Sequence, residues 1–568
     1  ADVIFGHHGH MLKGIEVYKG KVIFHDMGNL QALADLPDGT PFFRYGTLKV
    51  QRVRGDLTEE QKIARQREFD RRVGAPFVWG ANMAAKLIPD GATVGIAGMG
   101  LSGWAEEVGR AIRDSYRETG HPCDLTLKQG CAMGDWKTRG VTVLGEAGPG
   151  LVTNWSAAHI GSAFSLNEQV QAGQIKCHCL PQGVIINLWR EIAAGRPGLI
   201  TKVGLGTFVD PRVEGGRMNP ETTEDACELI EFDGEEYLFY RSFPLDVAIL
   251  RGTTADEKGN ISFEHESVMN EGLAVASAAK NSGGIVIVQV EYLAQAGTLN
   301  PKDVAIPGIM VDYVVQATDK DCCWQTEGVY YEPAFSGQIK KPLNQLPVLD
   351  LSPRKVICRR CAMELQPGAI VNLGVGIPAD VASVVAESGC LDKMTITAEA
   401  GGIGGVPAAL PNFGSNYNAE AIISHNSMFD FIDGGGLDIT VLGLAEVDKD
   451  GNLNVSKFGN RLSGPGGLID ITQSASTVIF AGTFMAKAKE GTSNKFVDEV
   501  QQITYAGTYA RPDQKVLYVT ERCVMELRDG VMTIVEVAPG IDVDRDIIAH
   551  MDFVPAIADD VREMDPAL

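Results

Sequence analysis

Two stretches of this chain align with each other without a gap. Leu245–Phe263 reads LDVAILRGTTADEKGNISF and Leu437–Val455 reads LDITVLGLAEVDKDGNLNV, with Leu, Asp, Leu, Asp, Gly and Asn coinciding at six positions. Each begins with apolar and β-branched residues, which suit a buried strand, and continues into an Asp-x-x-Gly-Asn turn. Each is followed by another apolar strand, Ile285–Val290 in one case and Val478–Phe480 in the other. A strand with an Asp-Gly turn can recur by chance, yet two similar α/β halves on one chain are the simplest reading. A cleft between two such halves is a natural place for a site.

The rest of the chain fits that plan. Its 568 residues are enough for several domains. From Phe77 onward, apolar strand-like runs alternate with amphipathic helical runs, the pattern of an α/β architecture. The stretch Pro342–Pro353 (PLNQLPVLDLSP) reads as a linker, and Ser352-Pro353 as an N-cap with proline in the first turn. Residues 1–76 look unlike the remainder, and Thr58-Glu59-Glu60-Gln61 reads there as a helix-starting capping box. The predicted fold is therefore α/β: two similar open halves in tandem with the site between them, over residues 77–345 and 346–568, preceded by an N-terminal extension of residues 1–76.

Composition excludes several classes of function. The formal net charge is −23 and no basic stripe is evident, so nucleic acid is not expected as a partner. No run of eighteen apolar residues exists, so no membrane span is expected. Ala1–His10 lacks the basic and apolar regions of a secretory signal. The eleven cysteines are odd in number and do not space like a disulfide framework. A reducing, cytoplasmic setting follows as the expectation.

Glycine clusters mark three strand ends. Gly98-Met99-Gly100-Leu101-Ser102-Gly103 follows the strand Thr93–Ile96 and precedes a helix predicted over Ala105–Arg117, which fits the dinucleotide pattern GxGxxG. The acidic residue that should close the next strand is missing, because Asp124 precedes that strand. A tight turn with close backbone approach is the plainer reading. Asn372–Pro378 (NLGVGIP) leads from a strand into the predicted helix Ala379–Ala386, where backbone amides suit an anion or an oxyanion. On spacing alone, a packing turn explains it equally well. The third cluster follows the strand Met394–Thr397: Glu399 stands at its carboxyl end, and four of residues 401–405 are glycine. Ligands of open α/β sheets bind outside the carboxyl ends of strands. A glutamate flanked by bare backbone can serve there as base, metal ligand or nucleophile, or be a plain turn carboxylate.

These motifs together resemble a family I coenzyme A transferase of the fused, single-chain acetate or propionate type. The resemblance runs from about Phe77 to the C-terminus through Asp90–Gly98 (DGATVGIAG), Gly204–Pro211 (GLGTFVDP), Ala255–Asn260 (ADEKGN), Val371–Pro378 (VNLGVGIP), Ala398–Gly405 (AEAGGIGG), Asp433–Leu437 (DGGGL) and Val455–Gly459 (VSKFG). Where the family usually has Gly-Gly-Phe and a later proline, this chain has Ala97-Gly98-Met99 and Ala105. The resemblance implies that Glu399 is the nucleophile of a ping-pong exchange through a glutamyl-CoA thioester. It implies that Gly374, Val375, Gly376, Ile377 and Pro378 lie along the CoA thioester, with Gly466 and Gly467 on the CoA side. Acyl-CoA and short carboxylic acids such as acetate or propionate are the implied partners. CoA is then a substrate, no cofactor and no metal is expected, and a homo-oligomer, dimer or tetramer, is implied. An acyl-CoA hydrolase on the same scaffold, or a dinucleotide-binding oxidoreductase at Gly98–Gly103, are the alternatives.

Other signals read as structural. His7, His8 and His10 with Gly14–Asn29 resemble the tail of a capsule or polyglutamate biosynthesis protein of the calcineurin-like type, over about the first thirty residues. Cys358-Arg359-Arg360-Cys361 has no second cysteine pair nearby and reads as a helical pair. Cys177-His178-Cys179 and Cys322-Cys323 are similarly isolated, and His159, His265 and His425 read as structural. Glu264 and Glu266 are candidates to line the cleft.

Overall fold

The computed structural model describes residues 14–18, 21–25, 33–35, 41–43, 77–131, 133–342, 348–487 and 491–568. His7, His8 and His10, the Thr58–Gln61 capping box and the boundary drawn at 345/346 lie outside the described residues.

The first half is built on β1 (Phe77–Trp79), β2 (Thr93–Ile96), β3 (Leu125–Gln129), β4 (Val152–Ala157), β5 (Lys176–Cys179), β6 (Val247–Arg251), β7 (Ile285–Val290) and β8 (Tyr313–Gln316). They form one sheet in the order β1-β8-β7-β6-β2-β3-β4-β5, parallel at every pairing. A parallel sheet is covered on both faces, which is why β6 and β7 read as continuous apolar runs, and β6 is buried along its whole length. Its principal helices are α1 (Glu106–Thr119), α2 (Gln182–Ala193) and α3 (Gly272–Asn281).

The second half carries α4 (Pro353–Ala362), α5 (Val381–Glu387), α6 (His425–Asp433) and α7 (Leu468–Ser474). Its strands are β9 (Ile370–Leu373), β10 (Thr395–Thr397), β11 (Gly402–Ile403), β12 (Ala421–Ile422), β13 (Ile439–Gly443), β14 (Thr477–Ala481), β15 (Lys515–Val519), β16 (Cys523–Arg528), β17 (Val531–Val537) and β18 (Ala556–Glu563). The sheet order is β12-β11-β10-β9-β13-β14-β15-β16-β17-β18. Only its centre, β10 through β15, is continuously parallel. Ser352 caps α4 by accepting from the Lys355 N–H, with proline in the first turn as the sequence predicts.

The sequence repeat is a structural repeat. Asp246 and Asp438 each close a strand onto its parallel neighbour: Asp246 Oδ2 accepts from Thr93 N at 2.8 Å, and Asp438 Oδ2 from Ile370 N at 2.8 Å. Asp256 and Asp448 each fold a turn by accepting from the backbone and side-chain N–H groups of Asn260 and Asn452 respectively. Each of those asparagines then accepts from a distant glycine amide, Gly308 N at 3.0 Å and Gly507 N at 2.9 Å. In both halves the strand order switches direction beside the repeat strand, at β2/β6 and at β9/β13, and crevices outside the carboxyl ends of strands at such points bind ligands.

The two halves are stitched together by backbone hydrogen bonds. Ile160 N donates to Ser463 O at 2.8 Å, Gly466 N to Ala158 O at 2.9 Å, His425 N to Met269 O at 3.0 Å and Phe208 N to Ile503 O at 2.7 Å. Among the described residues no helix is long and apolar enough to cross a membrane.

Candidate active site

Glu399 stands just past β10, where the chain turns back on itself. Ala398 N donates to Gly402 O at 2.8 Å and Gly401 N to Ala398 O at 3.0 Å. Gly401 has φ +111°, and a Cβ there would lie 2.0 Å from Ile423 O, so this turn admits only glycine. The turn projects Glu399, half-buried, toward the first half. Gly467 lies against it: a Cβ on Gly467 would come 3.0 Å from Glu399 Oε2.

The first half answers with Gln182, the opening residue of α2, whose backbone N donates to Gly466 O at 3.2 Å. Its Nε2 lies 3.0 Å from Nε2 of His425, the opening residue of α6. The other ring nitrogen of His425 is 2.9 Å from Glu271 Oε2, and Gly98 N donates to Glu271 Oε1 at 3.2 Å. Gln182, His425 and Glu271 are each fully buried. The links Gln182–His425 and His425–Glu271 each cross between the halves, and the row ends at Glu399.

Burial pushes the Glu399 carboxyl above its ordinary range, while the facing His425 ring, when it carries a charge, and the Gln182 carboxamide pull it back. Behind it lies Asp470 of α7, fully buried, with neither oxygen hydrogen-bonded among the described residues. Burial, then the neighbouring Asp433, drives Asp470 well up. Asp433 itself is pushed from 3.8 to about 7 by burial and by Asp430. On the other side of Glu399, Met99, Cys131, Val268 and Ala400 form a small apolar cluster with Phe413 packed on it. Trp136, His159 and Phe164 meet edge-on near Gly464, whose Cβ would fall 3.2 Å from His159 Cα.

The predicted glycine loops fall on the carboxyl edge of the second sheet. Gly374–Pro378 follows β9, the strand beside β10. Gly374 N donates to Val441 O at 2.8 Å, Gly376 has φ +88° and Val375 is exposed. This loop is one strand away from Glu399, whereas Gly466–Gly467 meets Gln182 and the Glu399 carboxyl directly.

The Gly98–Gly103 loop does not form a dinucleotide cradle. A Cβ at Gly98 would meet Ser102 O at 2.1 Å, and one at Gly103 would meet Asn270 Nδ2 at 2.7 Å, so protein already occupies the close approaches. The first amides of α1, where a pyrophosphate would sit, donate from Glu107 and Val108 to Gln289 Oε1 at 2.9 and 3.3 Å. A Cβ at Gly100 would lie 3.1 Å from the Glu327 carboxyl, so that side chain already fills the approach a phosphate would need. Asp124 sits at the amino end of β3, on the opposite edge of the sheet.

Several residues read as structural or as cleft candidates need reassignment. His425 has partners and belongs to the site. Glu266 does not line it: it is locked in a buried ion pair with Arg251 at 2.7 Å, while Glu264 accepts from Thr254 Oγ1. Cys358 and Cys361 are buried on α4, as a helical pair should be. Gln182 and Glu271 carried no sequence signal, because nothing local marks residues whose common partner His425 lies 243 and 154 positions away respectively.

The sequence model of the family described as Coenzyme A transferase matches residues 80–317 and 356–548. The chain belongs to the coenzyme A transferase family. A caffeate CoA-transferase of Acetobacterium woodii is 65% identical over 506 residues, covering 86% of this chain and 96% of that protein. Acetate CoA-transferase YdiF of Escherichia coli (strain K12) is 37% identical over 508 residues, covering 86% and 94%. The acyl-CoA transferase fold extends to coordinates. The apoenzyme crystal structure of YdiF from E. coli O157:H7 superposes with a TM-score of 0.80 at 37% identity, over 87% of this chain and 96% of that one. A structure of the same E. coli protein as a thioester complex with CoA superposes with a TM-score of 0.79 at 36% identity, also over 87% and 96%. A second model, Bacterial capsule synthesis protein PGA_cap, matches residues 1–32, in line with the resemblance of that segment. This CoA-transferase thus carries two tandem CoA-transferase halves with their facing edges converging on Glu399.

Proposed function

We propose that this CoA-transferase exchanges CoA between an acyl-CoA and a free carboxylic acid through a covalent thioester on Glu399. The observation that carries the reading is a half-buried carboxylate held between the halves, flanked by Gly467 and faced by the Gln182 carboxamide. The thioester complex of the E. coli relative supports it.

The Glu399 carboxylate attacks the acyl-CoA carbonyl and expels CoA thiolate, leaving a mixed anhydride. The thiolate then attacks the glutamyl carbonyl of that anhydride and frees the first acid. The glutamyl-CoA thioester remains, and an incoming carboxylate reverses the two steps. A carboxylate keeps the exchange near thermoneutral, where a serine ester would strand the acyl group. Partial desolvation strips water from the nucleophile and protects the thioester from hydrolysis. Each tetrahedral intermediate carries an oxyanion, and one preorganised donor there is worth about 3 kcal/mol. Gln182 is positioned for that role, and the amides of the Gly374–Pro378 loop offer a second source along the CoA. CoA acts as a substrate, with no metal or redox cofactor in these steps.

The acyl group is of the hydroxycinnamate class, supported by the 65% identity to the caffeate enzyme and by the apolar cluster of Met99, Val268 and Phe413 beside Glu399. Acetate or propionate is the second reading, favoured by the 37% identity to YdiF. We also propose a homo-oligomer in the cytoplasm, on the family resemblance and the cysteine spacing alone.

Incubation with caffeoyl-CoA, and separately with propionyl-CoA, followed by digestion and mass spectrometry, should reveal a CoA adduct on the Glu399 peptide. The adduct should vanish when a free carboxylate is added, with the new acyl-CoA released. Loss of the adduct to water alone would make the enzyme a hydrolase. An intact acyl-CoA with Glu399→Ala indistinguishable from wild type would sink the reading. The ratio of adduct formed from the two thioesters decides the acyl class.

A further inference from the structure

Glu271 is a fully buried carboxylate, and such a group must be met by donors. It accepts from Gly98 N on one oxygen and from His425 Nδ1 on the other. A carboxylate only accepts, so the proton of this contact sits on Nδ1 of the ring, and in the neutral ring Nε2 presents its lone pair. The group 3.0 Å from that lone pair is the Gln182 carboxamide nitrogen, while Gln182 Oε1 has no hydrogen-bond partner among the described residues. Turning the amide over would set its carbonyl oxygen against the ring lone pair. One N–H of Gln182 is thereby committed to His425, and the same nitrogen has a second N–H in the amide plane.

We propose that the buried Glu271–His425 pair is a positioning device that fixes the tautomer of His425, and through it the orientation of the Gln182 carboxamide, so that the second N–H is aimed at the reacting carbonyl held by Glu399. The inference rests on the proposed thioester mechanism. Both helix starts are also pinned by backbone contacts from the opposite half, His425 N to Met269 O and Gln182 N to Gly466 O. The two halves must dock correctly before the amide is oriented. The device thus ties catalytic competence to their assembly. Neither Glu271 nor His425 meets substrate in this scheme. With the ring neutral they act on the reaction only through Gln182.

That last property makes the scheme testable by a double-mutant cycle. The rate of Glu399 thioester formation is measured in a single turnover with saturating acyl-CoA, alongside kcat, KM and the melting temperature of each variant. His425→Asn keeps an N–H toward Glu271 but withdraws the acceptor from Gln182. It should slow thioester formation by about 100-fold, the scale for losing one oxyanion donor, with KM changed less than about threefold because the lost interaction belongs to the transition state. In a Gln182→Ala background the same substitution should slow it by less than about threefold, since its target is already gone. Glu271→Gln, which keeps the buried volume but cannot accept from both neighbours, should reproduce the His425→Asn result and replaces it if that variant does not fold. A rate within about threefold of wild type in the single variants, an effect confined to KM, or an equal loss in both backgrounds would overturn the proposal. Thioester on wild-type Glu399 together with an unimpaired His425→Asn defeats only this inference. No thioester on wild-type Glu399 defeats the mechanism beneath it.

Discussion

At the scale of single residues, Gly467 shows how the site limits its own side chains. Its φ is −83°, which any residue adopts, so glycine is not required there for the backbone. It is required for space, because a Cβ would sit 3.0 Å from Glu399 Oε2, 3.2 Å from Phe429 Cζ and 3.3 Å from Ile471 Cδ1. Gly467→Ala should therefore fold normally yet push the Glu399 carboxyl off its line. The contacts are relieved by a shift of a few tenths of an ångström, so turnover should fall by less than the about 100-fold that a 1 Å displacement costs. Melting temperature and kcat measured together check this: a fall in melting temperature with full turnover would show that the contact is structural only.

At the scale of elements, the two Asp-x-x-Gly-Asn turns hold the repeat in shape. Asp448 is buried, and it accepts from Asp450 N at 3.0 Å, Asn452 N at 3.0 Å and Asn452 Nδ2 at 3.0 Å. Asn452 is thereby aimed so that its Oδ1 accepts from Gly507 N, tying the turn to a segment 55 residues on. Asp448→Ala removes the acceptor but leaves its donors inside the protein, and should destabilise the chain by about 1–3 kcal/mol. Chemical denaturation reads this directly. The equivalent Asp256→Ala should show a loss of the same sign, because its bonds are the same. A neutral Asp448→Ala would mean that the turn is held by its strands alone.

At the scale of the whole molecule, the interface between the halves gathers carboxyls that burial has pushed upward. Asp433 moves from 3.8 to about 7, with Asp430 and Asp470 facing it. Glu327 moves from 4.5 to about 7 through burial and Asp135, against Arg139. Asp470 is raised well above its ordinary value, and Glu399 is raised as well. A carboxyl whose folded pKa is raised binds its proton more tightly in the folded chain. Its contribution to stability is complete below the unfolded pKa near 4 and is lost as pH climbs through about 7. His159, lowered from 6.5 to about 4 by burial and by Arg461, acts in the opposite sense, but only below about pH 6.5. Between about pH 4.5 and 7 the two carboxyls Asp433 and Glu327 outweigh His159, so the melting temperature should fall across that window and level off above it. Asp470→Asn, an amide in place of a protonated acid, should flatten the fall. Calorimetry at several pH values tests this, and identical slopes for the variant and wild type would rule out Asp470 as a source.

Much of the fold follows from local sequence, because strand and turn signals act over short range. The repeat at Leu245–Phe263 and Leu437–Val455, the strand Ile285–Val290, the Ser352 cap and the glutamate at the end of β10 were all legible for that reason. The four-glycine stretch after Glu399 was also legible, because a turn with φ +111° against a carbonyl admits one residue type. Nothing local distinguishes Gln182 from other helix-starting glutamines, or His425 from a packing histidine. They acquire their chemistry only when β2, α2 and α3 of one half dock against β10, α6 and α7 of the other. The dinucleotide pattern at Gly98–Gly103 failed for the same reason, since Gln289 and Glu327, distant in sequence, occupy the places a phosphate would need. The amino-acid sequence by itself determined the halves, their strands and the position of Glu399 on a strand end. Only the tertiary structure decided which groups face that glutamate, because hydrogen-bond partners and burial arise from residues that the chain brings together across more than a hundred positions.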